Sequence, residues 1–207
     1  MPTNAITPLY CLNGPAHWQA EVLPQTQTPT RVVLDYVPPS IGPVIPQRLW
    51  RPQSDKLLSS LVHNGALCRP IFFVRRDFDG IGITLEEATH RQHHCLYDYD
   101  ALVDFGGKTT TSLRILWSGY EEFSRQIQLK DQTRSRNPIT LGRWAQYVAT
   151  TVSRFLEEPP ALLNEHDRQP QWAIGDGRIT ARDIILVGVV HTSAGTWQPI
   201  LQLVLRT

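Results

Sequence analysis

Proline crowds one end of this chain and limits where regular structure can form. Pro2, Pro8, Pro15, Pro24, Pro29, Pro38, Pro39, Pro43, Pro46 and Pro52 are ten of the sixteen prolines in 207 residues. Proline lacks a backbone N–H and fixes φ, so it is excluded from helix interiors and central strands. Residues 1–29 are therefore expected to form an irregular arm, and 38–53 an extended loop crossing the surface. Between them, Arg31-Val32-Val33-Leu34-Asp35-Tyr36-Val37 has the β-branched content of a strand. The core must come from 30–207, taken as a single domain. Hydrophobic residues at 41% and charged residues at 19% supply a core and argue against a disordered chain.

Periodicity then divides the remainder. Ser54 caps an expected short helix carrying Leu57, Leu58, Leu61 and Val62. Pro70 to Arg75 is expected to be a buried strand. Thr84-Leu85-Glu86-Glu87 has the spacing of a capping box, so a helix starts there and is predicted to run to about residue 95. Thr109 to Trp117 alternates as a strand, and Glu121 to Leu129 fits either a strand or a helix. Thr140 caps a long amphipathic helix over 141–157, with Leu141, Trp144, Val148, Val152, Phe155 and Leu156 on one face. Ile184 to Val190 and Trp197 to Leu205 form a C-terminal β-hairpin joined near Ser193-Ala194-Gly195. Helices and strands mixed without strict alternation predict an α+β fold with a mixed or antiparallel sheet.

The net charge of +1 conceals a local imbalance. Residues 108–154 carry eight basic against three acidic side chains, a net of +5, whereas 69–107 carry four against seven, a net of −3. The basic segment is a candidate surface for an acidic protein or another polyanion. Its candidate ligand-binding residues are Lys130, Arg134 and Arg136 in a polar loop, and Arg143, Tyr147 and Arg154 along the helix. The plainer reading is a solvated face balanced by the acidic segment. Trp117 and Trp144 fall on apolar faces and are assigned to the core, so few aromatics are left for stacking nucleic-acid bases.

His90-Arg91-Gln92-His93-His94-Cys95 is the other chemically pointed stretch. On a continuous helix His90, His93 and His94 share a face. Imidazole at that spacing suits zinc or another transition metal, with Cys95, Asp98, Asp100 or Asp104 able to complete or orient the shell. The alternative is a solvated, pH-sensitive histidine run. Asp77, Asp79, Gly80 and Glu86 match part of a calcium loop, but Arg75 occupies its first position, so the stretch is taken as a turn. No G-x-S-x-G occurs, Cys95 beside His94 is not a catalytic signature, and His191 is assigned a structural role.

The pattern Leu116-Trp117-Ser118-Gly119-Tyr120, then Arg125-Gln126-Ile127, then Pro138-Ile139-Thr140 opening a helix, resembles uncharacterised proteins of mushroom-forming fungi. In those the first element reads Trp-Pro-Gly-Tyr, and Ser118 replaces the proline here. The resemblance continues through Leu186-Val187-Gly188, His191, Ser193, Gly195, Trp197 and Gln198. It implies a fungal source and one folding unit for roughly 110–207, and carries no activity with it.

Cys11, Cys68 and Cys95 are odd in number and widely spaced, as expected of reduced thiols in a cytoplasmic or nuclear protein. No secretory leader is expected at the N-terminus, and Ile184 to Val190 is too short to span a bilayer. The leading expectation is a non-enzymatic intracellular binding module that needs no cofactor and uses the 108–154 segment. The alternative is a metal-dependent enzyme centred on residues 90–95.

Overall fold

A computed structural model describes residues 19–22, 30–33, 42–48, 50, 68, 70–77, 81–163, 170–193 and 195–204. Strands β1 (Gln19–Val22) and β2 (Thr30–Val33) pair antiparallel as a separate ribbon, so the arm expected to be irregular contributes one strand. The main sheet holds β3 (Ile71–Phe72), β4 (Ile83–Thr84), β5 (Thr110–Ile115), β6 (Phe123–Gln128), β7 (Ile184–Ser193) and β8 (Thr196–Leu203). Its order is β3-β7-β8-β5-β6, with β4 also on β7. β5 and β8 run parallel and the other pairings are antiparallel. Helices α1 (Leu85–Thr89) and α2 (Leu141–Glu157) complete an α+β fold. The expected helix at Leu57–Val62, residues 34–37, the Asp79-Gly80 turn and Leu205 lie outside the described residues.

Helix α2 forms where its apolar stripe predicts it. The Thr140 hydroxyl accepts the Arg143 N–H and caps the first turn. Trp144, Val148, Val152 and Phe155 are fully buried against a sheet face that includes Leu113, Ile115, Trp197 and Leu201. The Trp144 ring meets Phe105 at 5.1 Å and Trp197 at 6.0 Å, both edge-on. Phe155 lies 5.6 Å from Trp117 and 5.7 Å from Phe123. Such tilted and edge-on geometries suit the ring quadrupole. The sheet's opposite face buries Val187, Val190 and Ile200 beside Val44, Phe72 and Ile81. β7 and β8 are consequently covered on both sides, which explains their nearly unbroken apolar sequence.

Two expectations change. The proline-rich stretch is extended as predicted, but part of it is interior: Ile45 and Gln47 are buried. β5 and β8 pair only at Ser112–Thr196 and Leu113–Trp197 and then diverge, and residues 42–48 fill the fork. Gln47 spans it, donating from Nε2 to Pro199 O at 2.8 Å and accepting the Leu116 N–H at 3.1 Å. Gln198 accepts the Trp50 N–H and donates to Arg48 O, and Gln202 Nε2 donates to Gly42 O. Buried glutamines supply the side-chain bonds by which a donor-poor segment joins the sheet.

The helix expected to reach residue 95 stops at Thr89, with His90 as its C-cap. Leu85 and Ala88 are its buried positions, and a further turn would set Gln92 toward the core. Arg91 turns the chain with φ of 61°, and His93–Cys95 follows as a 3-10 turn. Among the described residues no helix is long and apolar enough to cross a membrane.

Candidate binding site

The sheet ends at β6, and the basic segment of the sequence folds around that edge. Strand alternation sends Phe123 and Ile127 toward α2, where Phe123 meets Phe155 and Ile127 joins the core. Arg125 lies between them on the same face and is exposed. Beyond β6, an isolated bridge between Lys130 and Pro138 closes a loop, stabilised by Asp131 N donating to Asn137 O at 2.8 Å. Arg136 takes a left-handed φ of 48° within it.

These parts enclose an open concavity of about 630 Å³ between the β6 edge, the loop and the polar flank of α2. Arg125, Lys130 and Arg136 line it together with Tyr147, Thr150 and Thr151. Asp131 lines it too, but its carboxylate is held by Thr133, whose hydroxyl donates at 2.6 Å and whose N–H donates at 3.2 Å. Arg125 and Thr150 also border a second concavity with Arg154, Arg182, Glu86 and Glu157. Arg143 lies in a third hollow beside Tyr147, its guanidinium 4.9 Å from the ring centroid.

Of the residues singled out by sequence, Lys130, Arg136 and Tyr147 come together. Arg143 sits next to them, Arg154 borders the second concavity, and Arg134 is exposed and lines none of the three hollows. Arg125 was counted in the charge of the segment but not in the candidate site. Its position follows only once 121–129 is known to be a strand.

Among the described residues no carboxylate of the acidic neighbour is paired with Arg125, Lys130 or Arg136, although Glu86 shares a hollow with Arg125. Arg75 engages its own segment, forking onto Asp77 at 2.7 and 2.9 Å and onto Glu87 at 2.9 Å through both terminal nitrogens. Burial opposes ionisation of Glu87, yet bonds from Arg75 and Thr84 hold its carboxyl below the usual range. In the basic segment, Arg114 pairs with Glu122 and Arg154 lies 3.9 Å from Glu158. Among the described residues Arg125, Lys130, Arg134 and Arg136 have no carboxylate partner.

The histidines are not gathered on one face. His90 Nδ1 donates to Glu86 O at 2.9 Å, and His94 is exposed in the 3-10 turn. His93 packs on the first turn of α2, where a Cβ on Gly142 would lie 2.4 Å from its ring. Among the described residues no three His, Cys, Asp or Glu side chains are grouped to hold a metal ion.

His191 lies inside the sheet, stacked on Trp197 at 4.6 Å, and its Nδ1 accepts the Cys68 N–H at 2.7 Å. Desolvation, with the Lys108 charge, pushes its pKa down to about 4. The folded state thus prefers the neutral ring, whereas the unfolded chain protonates near the ordinary value of about 6.5. This stability is complete above that value and is lost as pH falls from it toward about 4. Urea unfolding is expected to show a loss of about 2 kcal/mol from His191 between pH 7 and pH 5, and His191→Phe is expected to remove that part of the slope. An unchanged slope in the variant would contradict the assignment. Burial raises the Cys68 pKa, with Asp104 contributing in the same direction, and burial raises that of Cys95. Neither is an activated thiolate.

Comparison with family models, curated proteins and solved structures finds no match.

Proposed function

We propose that the protein is a non-enzymatic binding module that takes an acidic partner in the groove between the β6 edge and α2. The observation that carries this reading is the convergence of Arg125, Lys130 and Arg136 on one open concavity with no carboxylate paired to any of them among the described residues. Unpaired like charges gathered on one concavity repel one another, and an anion relieves that repulsion. The groove is open and shallow, which suits a macromolecular surface better than an enclosed small substrate.

The test is binding of an acidic peptide at rising ionic strength. Affinity is expected to fall steeply with salt, because exposed charges are screened beyond about 8 Å at physiological ionic strength. Combined Arg125→Glu, Lys130→Glu and Arg136→Glu replacement is expected to abolish binding while the chain stays folded, since Arg125 and Arg136 are exposed and Lys130 is half-buried at the edge of the loop. Salt-independent binding, or unchanged binding by the triple variant, would refute the reading.

A further inference from the structure

We infer that the acidic partner is an extended protein segment that adds to the sheet as a new strand along the free edge of β6. This rests on the acidic-partner reading above and goes further by naming how the partner is held.

The first support is the state of the edge. β6 is the last strand in the sheet order, and among the described residues no strand or isolated bridge pairs with the outer side of 123–128. Its six residues match β5 one for one, from Thr110–Gln128 to Ile115–Phe123, without a bulge. Antiparallel partners alternate between exchanging hydrogen bonds and facing away. Leu129 N–H donates to Thr109 O on the same register. Phe123, Arg125 and Ile127 therefore bond toward β5. Ser124, Gln126 and Gln128 turn their N–H and C=O groups outward. Ser112, opposite Gln126, agrees, since its N–H donates to Gly195 O on the side away from β6.

Natural sheets guard such an edge with proline, bulges or lysine. The sequence Phe-Ser-Arg-Gln-Ile-Gln contains no proline or lysine, and its pairing contains no bulge. Its one guard is the charge of Arg125, which an acidic partner neutralises, so this regular edge remains a template for addition of an acidic strand.

The second support is charge. Alternate side chains of an added strand point to the α2 side, as Phe123, Arg125 and Ile127 do. Acidic residues at those positions would enter the concavity lined by Arg125, Lys130 and Arg136. A second copy of this chain is disfavoured there, because antiparallel β6–β6 pairing centred on the strand sets Arg125 near its counterpart. A nucleic acid has no peptide groups to complete the ladder.

The experiment uses the full chain and a peptide of alternating glutamate and valine, with heparin as an acidic probe lacking a peptide backbone. Amide hydrogen exchange is followed at Ser124, Gln126 and Gln128. The peptide is expected to slow exchange at all three, and Gln126→Pro, which removes one outward donor and leaves the β5 ladder intact, is expected to weaken binding about tenfold. If Gln126→Pro fails to fold, exchange in the unaltered chain decides. Peptide binding without protection of these amides would overturn strand addition and leave the acidic-partner reading standing. Binding of heparin but not of the peptide would overturn it in favour of a polyanion. Protection that grows with protein concentration in the absence of peptide would overturn it in favour of a second copy. No binding of either probe at low salt would overturn both readings.

Discussion

Trp144→Ala is expected to cost about 3–5 kcal/mol, the range for removing a large aromatic from a packed core. The ring is fully buried in the first turn of α2, and it joins the helix to the sheet through Trp197 and to the 101–109 loop through Phe105. Domains have only about 5–15 kcal/mol of stability in all, so the variant is expected to be partly unfolded near physiological temperature. Among the described residues Trp144 Nε1 has no hydrogen-bond partner. Trp144→Phe is therefore expected to cost much less, since it keeps an aromatic ring in the site and removes a buried unsatisfied donor. Urea unfolding of both variants checks this, and an alanine variant as stable as the parent would refute the packing.

Removing residues 196–207 is expected to prevent folding altogether. The hairpin partner β8 is an interior strand, between β7 and β5, so its loss divides the sheet into β3-β4-β7 and β5-β6. It also takes away Trp197 and Leu201 from the α2 face and Gln198 and Gln202 from the proline-rich segment. The remnants would expose long apolar edges, and such edges aggregate. The expected product is insoluble. A soluble truncation with dispersed amide resonances would contradict the topology.

Much of this architecture was legible because local signals agreed with one another. Helix α2 carries a cap, an apolar stripe and a Glu-Glu-Pro-Pro stop, and its bounds are those its periodicity predicts. The hairpin β7–β8 was legible from two β-branched runs and a short turn, but its central place in the sheet was not. Strand order depends on which edge meets β5, and no local pattern encodes that. The fork filled by residues 42–48 was hidden for the same reason. Gln47, Gln198 and Gln202 look like surface residues until their partners, some 150 positions away, are known.

The site divided along similar lines. Of the residues drawn from the charge imbalance of 108–154, Lys130, Arg136 and Tyr147 converge on one concavity. Arg125 was obscured by the ambiguity of 121–129. A strand places it on the groove face between Phe123 and Ile127, whereas a helix would scatter that triplet. The shared face of His90, His93 and His94 depended on a helix through residue 95, and α1 ends at Thr89 because it has no apolar stripe to bury past Ala88.

The most direct test of the central claim is to locate the contact surface by amide chemical shifts during titration with the alternating glutamate–valine peptide at low ionic strength. Shifts concentrated in 124–136 and in 147–151 of α2, and erased by the triple charge reversal at Arg125, Lys130 and Arg136, are the result predicted. Shifts centred elsewhere, or none at any peptide concentration, would contradict it.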